Sequence, residues 1–135
     1  MTEALKVGMT HQIDRQTTDE MSAQKVYPHV PDVYATRAMV GHIEEVCADL
    51  VLPRLGAGEQ TVGIGMQFKH MAATPLGMKV RFSAKLIEVD GAKLTFEVEG
   101  FDEVDKISEA THQRFVINAE KFNSKVAKKA EKAKT

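Results

Sequence analysis

Thr36, Glu44 and His70 are the residues of this 135-residue chain whose types and positions could handle protons beside an apolar surface. Glu44 lies in MVGHIEEVCADL, Met39 to Leu50. Wound as a helix at about 100° per residue, Val46, Met39, Leu50, Ile43, Cys47, Val40 and Val51 fall within an arc of roughly 140°. That arc is a core face, and Glu44 stands only about 20° beyond its Val51 edge. Glu45, Asp49 and His42 lie on the opposite side, where solvent is expected. A half-buried carboxylate is costly unless a neighbour accepts it, so Glu44 needs a reason. His70 continues the alternation of Val62, Ile64, Met66 and Phe68; an unbroken strand points its imidazole at the helix, near the rim where Met71-Ala72-Ala73-Thr74-Pro75 ends the strand. Thr36, at the helix start, projects onto the same apolar arc. A hydroxyl, a carboxylate and an imidazole in one partly apolar cleft are the parts of acyl transfer: a nucleophile or water-activating base, a proton carrier and an oxyanion site over the helix's positive end. Each residue also has a structural reading. Glu44 can reach water along its stem, His70 can be a hydrogen-bonded core residue, and Thr36 can be an N-cap. Spacing alone does not make the three meet.

The elements that must position them follow from periodicity. A strand is expected around Met9 to Thr17, then an irregular stretch from Glu20 to Pro31, where Tyr27-Pro28 and Val30-Pro31 oppose helix. The main helix is expected over about Ala35 to Leu52, closed by Pro53 and followed by Gly56-Ala57-Gly58. After it the period drops to two: Val62, Ile64, Met66 and Phe68 alternate with polar residues or glycine, as do Val80, Phe82, Ala84 and Leu86, and then Leu94, Phe96 and Val98. Asp90-Gly91 suits a tight hairpin turn. A last strand, about Lys106 to Ile117, precedes a lysine-rich helix or tail from about residue 118. One strand, one long helix and four strands joined by short turns imply an α+β fold, an antiparallel sheet with the helix on one face. Curled around a central helix, such a sheet is the hotdog arrangement. A ferredoxin-like fold would need a second substantial helix between strands, but other curved-sheet α+β folds stay open on periodicity alone.

The chain's size fits one domain over 1–135. With 43% hydrophobic and 27% charged residues and a net charge of −1, it carries no global attraction for nucleic acid or an acidic membrane. No apolar run spans a bilayer and MTEALKVGMT lacks a secretory signal, which points to a cytoplasmic protein. The single cysteine, Cys47, falls on the apolar arc as a core residue. No metal-ligand spacing is present, and Gly63 and Gly65 in VGIGMQF are not followed by the helix that a dinucleotide fingerprint requires. No metal and no resident cofactor are expected.

Three segments, VYATRAMVGHIEEVCADLVLPRL, VGIGMQFKHMAATPLGMKVRFSAKL and THQRFVINAEKFNSKV, together resemble the hotdog thioesterases of the fluoroacetyl-coenzyme A thioesterase type. The resemblance runs from about Val7 to Lys129, and its most specific piece combines AT-x-x-MVG-x-x-E with H-x-AATP-x-G. It implies a hotdog fold and hydrolysis of an acyl-CoA thioester, with Thr36, Glu44 and His70 as the catalytic set and coenzyme A present only as part of substrate and product. It further implies that Gly63 holds the thioester through its backbone and that Arg114 sits near the substrate or braces the site. From the residues alone, Gly63 could instead mark a bulge and Arg114 a surface ion pair. At least a homodimer with shared clefts is implied as well. Members specific for fluoroacetyl groups carry phenylalanines that close over the acyl group, where this chain has Tyr27 and Val30, and a tryptophan where it has Glu45. The resemblance therefore carries over a short or otherwise small acyl group rather than fluoroacetate detoxification. Lys121, Lys125, Lys128 and Lys129 could meet coenzyme A phosphates or form a solvated tail, since Glu120 and Glu131 interrupt the run. A non-catalytic acyl-CoA sensor or carrier, and a hotdog hydratase or dehydratase, are the rival functions.

Overall fold

A computed structural model describes residues 4–134; residues 1–3 and 135, the ends of the expected 1–135 span, lie outside the described residues. In chain order the elements are β1 (Thr10–Gln16), α1 (Thr36–Val51), β2 (Glu59–His70), β3 (Lys79–Asp90), β4 (Lys93–Phe101), β5 (Lys106–Asn118) and α2 (Ala119–Ala133). Short 3-10 turns, Asp19–Met21, Ala23–Lys25 and Leu52–Arg54, flank α1 in sequence. The five strands form one antiparallel sheet in the order β1-β3-β4-β5-β2. β3 and β4 are joined through Gly91 at φ 59°, a left-handed position that the Asp90-Gly91 pair suits.

One face of the sheet is wrapped on α1. Val80, Phe82, Ala84 and Leu86 of β3 and Leu94, Phe96 and Val98 of β4 are buried with Met39, Ile43, Val46, Cys47, Leu50 and Val51 of the helix. This is the hotdog architecture, and its apolar stripe on α1 is the expected one with Val40 only half-buried. α2 leaves the sheet after β5 and is exposed along most of its length, lysines included. Among the described residues no helix is long and apolar enough to cross a membrane.

Three expectations are corrected. The inward alternation of β2 does not run unbroken: the register with β5 shifts between Gly63 and Gly65, so Ile64 is an extra residue. Ile64 is 52% exposed, and Val62 also turns away from the helix, while Thr61, Gly63, Met66, Phe68 and His70 face it opposite Val116, Arg114, His112, Ala110 and Ser108. His42 is not solvated; it is buried between Tyr34, stacked at 5.7 Å, and Phe82 at 5.8 Å, because the segment before α1 folds back over that flank. Thr36 is not the N-cap: it is the first helical residue, and the cap position belongs to Ala35, whose side chain caps nothing.

Two predictions follow from this packing. A Cβ at Gly100 would lie 2.5 Å from Cε1 of the fully buried Phe82 ring, which has no room to withdraw. Gly100→Ala should therefore destabilise the fold by about 1–3 kcal/mol in urea unfolding; parental stability would mean the ring yields freely. Burial is the first cause holding His42 below the ordinary imidazole range, with Arg15 acting the same way and Glu45 opposing. Since its folded pKa is depressed, the unfolded chain binds more protons between that value and about 6.5, so its contribution to stability is lost as pH falls through this window, by up to about 1.4 kcal/mol per pH unit. Urea titrations across this range should show a shallower slope in His42→Gln, which keeps an acceptor for Tyr34, than in the parent.

Candidate active site

At the N-terminal end of α1, Thr36 Oγ1 lies 2.8 Å from His70 Nδ1. The hydroxyl is open to solvent because Thr36 heads the helix and β2 ends at His70 beside it. His70 is half-buried, and burial holds it below the ordinary imidazole range, partly offset by the Ala72 backbone. Its Nε2 is buried without a hydrogen-bond partner. The Tyr34 ring meets it edge-on at 6.3 Å, and the Tyr34 hydroxyl is in turn bonded to His42 Nδ1. Burial pushes the Tyr34 phenol well up. The ring thus works as a neutral wall, fixed from behind.

Two turns further along α1, about 12 Å on at 1.5 Å per residue, Glu44 occupies a second polar centre. Its Oε2 lies 3.4 Å from Arg114 Nη1. The guanidinium is buried and engaged through all three nitrogens: Nε donates to Thr61 Oγ1 at 2.9 Å, Nη2 to the Thr61 carbonyl at 3.1 Å, and Nη1 also to His112 Nε2 at 3.1 Å. His112 Nδ1 lies 2.8 Å from the Gly65 carbonyl. Arginine only donates and a carbonyl only accepts, so Nε2 must be the acceptor and Nδ1 must carry the proton, which makes His112 neutral in one tautomer. Burial is the main cause that keeps it so; Arg114 adds to the effect, and the Gly65 carbonyl and Glu44 oppose it.

Gly63 completes this centre. A Cβ there would stand 2.8 Å from Glu44 Oε2, so only glycine lets the carboxylate lie against the strand. Arg114 is a buried brace, not a surface ion pair; its side chain is 9% exposed, against 46% for Glu44. Burial pushes the Cys47 thiol up to about 12.

The expected residues are therefore brought together in two groups. Thr36 meets His70, and Glu44 meets Gly63 and Arg114, but the alcohol, carboxylate and imidazole do not converge within one chain. Tyr27 and Val30 lie on the segment before α1; Tyr27 is 58% exposed with its ring edge-on to His29, and the half-buried Val30 holds Gln24 through its carbonyl. Glu45 pairs with Arg15 of β1, which gives it a structural task. Sequence reasoning missed His112, Thr61, Tyr34 and Ser108. His112 was within reach, since it shares the period-two face of Arg114. Among the described residues no cluster of His, Cys, Asp or Glu is placed to hold a metal. A groove of about 760 Å³ opens on the far face of the sheet, past Lys69, Lys85, Glu97 and Glu109, and includes none of these groups.

The comparisons with known proteins agree with this architecture. Residues 17–120 match the family model described as fluoroacetyl-CoA-specific thioesterase. The fluoroacetyl-CoA thioesterase of Streptantibioticus cattleyicolor is 36% identical over 135 residues, covering 96% of this chain and 97% of that protein. A variant of the fluoroacetyl-CoA-specific thioesterase FlK, solved in complex with fluoroacetate and CoA, is 35% identical and superposes with a TM-score of 0.83 over 87% of this chain and 99% of that one. A thioesterase superfamily member from Thermus thermophilus is 26% identical, with a TM-score of 0.89 over 96% of both chains. The match to this family model over residues 17–120, together with 36% identity over nearly the whole length of both chains, places the protein in the fluoroacetyl-CoA-specific thioesterase family of hotdog enzymes.

Proposed function

We propose that the chain hydrolyses acyl-CoA thioesters bearing a short or otherwise small acyl group, at a site assembled from two copies of the chain. The observation that carries this reading is the 2.8 Å contact of Thr36 Oγ1 with His70 Nδ1 at an open rim. A hydroxyl that close to an imidazole is a nucleophile beside its base. Thr36 attacks the thioester carbonyl and its proton passes to His70. The C–S bond breaks, and the departing thiolate takes that proton to leave as coenzyme A. Water, deprotonated by Glu44, then cleaves the threonyl ester; Glu44 passes that proton to Thr36, and the acid product releases its own proton to solvent and departs as a carboxylate. With Ala35 in the cap position, no side chain competes for the first N–H groups of α1, which are free to hold the oxyanion.

The second copy supplies the carboxylate. β2 ends the sheet order, so one edge of this strand has no strand partner among the described residues. Antiparallel pairing of β2 with its counterpart about a two-fold axis through Gln67 sets Phe68 against Met66 and Lys69 against Gly65. Past the extra residue at Ile64, His70 then comes opposite Gly63. Each Thr36–His70 pair would meet Glu44, Gly63 and Arg114 of the other copy, twice per dimer. Tyr27 and Val30 would border the acyl group, smaller and less greasy than paired phenylalanines, and so admit groups other than fluoroacetyl.

Thiol release from a panel of acyl-CoA esters varying in length, charge and α-substituent tests the reaction. Binding without thiol release would favour a sensor or carrier instead. His70→Ala and Glu44→Gln should each lower kcat by about 10²–10⁴-fold with the fold intact, and Thr36→Ser should retain far more activity than Thr36→Ala. The shared site makes a sharper prediction. Light scattering should give twice the 14.9 kDa chain mass. Co-refolding inactive Glu44→Gln with inactive His70→Ala should then recover about one quarter of parental activity, because half of the dimers are mixed and each has one intact site of two. No recovery from a verified mixed dimer would sink the shared site.

A further inference from the structure

His70 Nε2 and Ser108 Oγ are both buried and both without a hydrogen-bond partner. They are also direct neighbours, since His70 and Ser108 are register partners on the helix-facing side of β2 and β5. The ladder fixes how close they come. Met71 N donates to the Ile107 carbonyl at 2.7 Å, so that pair is hydrogen-bonded, and His70/Ser108 next to it is the narrow kind, with Cα atoms about 4.5 Å apart and side chains nearest. On its other flank Ser108 pairs with Gly100, which has no side chain and lies against the Phe82 ring. Across the strands, the imidazole is thus the one polar side chain that the Ser108 hydroxyl faces.

The chemistry at Nδ1 gives this adjacency a use. Nδ1 can receive the Thr36 proton only if the ring already carries its own proton on Nε2. A buried Nε2–H without an acceptor disfavours that tautomer. We propose that Ser108 is a positioning residue for His70, its hydroxyl taking the Nε2 proton as acceptor, directly or through one buried water, and so keeping Nδ1 turned to Thr36 as a base. The proposal rests on the reading of His70 as the proton carrier. Once His70 is doubly protonated, the same oxygen accepts a charge-assisted bond, so Ser108 also favours the imidazolium that the first step creates. The other groups facing the ring are Thr36 from α1, the neutral Tyr34 edge and the Ala72 backbone, and, in the paired arrangement, Glu44 of the second copy.

The test is a ¹⁵N-histidine NMR titration of the full-length parent, Ser108→Ala and Ser108→Thr without substrate, alongside thiol-release kinetics. The parent's neutral His70 should be the Nε2–H tautomer. Ser108→Ala should mix the tautomers and shift the His70 titration to lower pH, with kcat down about tenfold, less than loss of the carrier itself, and KM within about twofold. Ser108→Thr, which restores the oxygen, should recover tautomer, titration and kcat together. An unchanged tautomer and titration in Ser108→Ala overturns the proposal even if kcat falls, because the loss would then be one of packing. Because the NMR arm needs no turnover, a parent that shows the Nε2–H tautomer, mixed in Ser108→Ala, but releases no thiol would refute the thioesterase mechanism while leaving the positioning role standing.

Discussion

The extra residue at Ile64 is the constraint on which the geometry depends. His70 and Gly63 are seven positions apart, an odd number, and in a regular strand they would face opposite sides of the sheet. The register shift between Gly63 and Gly65 cancels that mismatch and turns both toward α1. Only then can His70 reach Thr36 while Gly63, lacking a Cβ, lets the Glu44 carboxylate lie against the strand. Without the bulge one of the two polar centres would face solvent on the far side of the sheet, and the helix could serve only the other.

The same feature explains which parts of the structure were legible in the sequence. The period change from 3.6 to two located α1, β2, β3 and β4, and Asp90-Gly91 marked its turn, because each of these signals is local. The direction of His70 was also legible, since Met66, Phe68 and His70 lie on one side of the bulge. Val62 and Ile64 misled because β-branched residues suit either face of a strand, and only pairing with β5 decides between them. His42 misled for a different reason. Its burial comes from Tyr34, eight residues earlier, folding back over the helix, and wheel geometry carries no information about such a covering segment. The alternative N-cap reading of Thr36 does not hold because the cap position falls on Ala35, and the Thr36 hydroxyl meets His70 instead. The resemblance of the motifs around Thr36, Glu44 and His70 supplied the reaction class, which neither period nor composition could.

The two polar centres are held by different means. Around Arg114, each guanidinium nitrogen has an acceptor, and the neutral His112 tautomer is dictated by a guanidinium on one side and a carbonyl on the other. A buried network of this kind is rigid because any shift leaves a polar atom unmet. Around His70 the constraint is looser: one nitrogen is engaged by a solvent-exposed hydroxyl, and the other is buried beside Ser108. The Glu44 carboxylate is thereby set against a fixed guanidinium, while the His70 imidazole is held through one nitrogen alone.

Helix geometry then limits how two copies can combine. About 12 Å of α1 separates Thr36 from Glu44, and a helix does not flex enough to close that distance. In the proposed dimer the two centres would meet between chains, and the pleat of β2 narrows the choices, because like faces must meet across an antiparallel pair. A two-fold through Phe68 would place His70 against Met66, an apolar residue with no proton to offer. A two-fold through Met66 would place it against Thr61, whose side chain already serves Arg114. The axis through Gln67, the register of the proposed dimer, would set the imidazole against Gly63, where the missing side chain leaves space beside the Glu44 carboxylate. In the proposed dimer, edge pairing of β2 would therefore meet two requirements at once: it would satisfy the free backbone edge of the sheet, and its register would decide whether the site is complete.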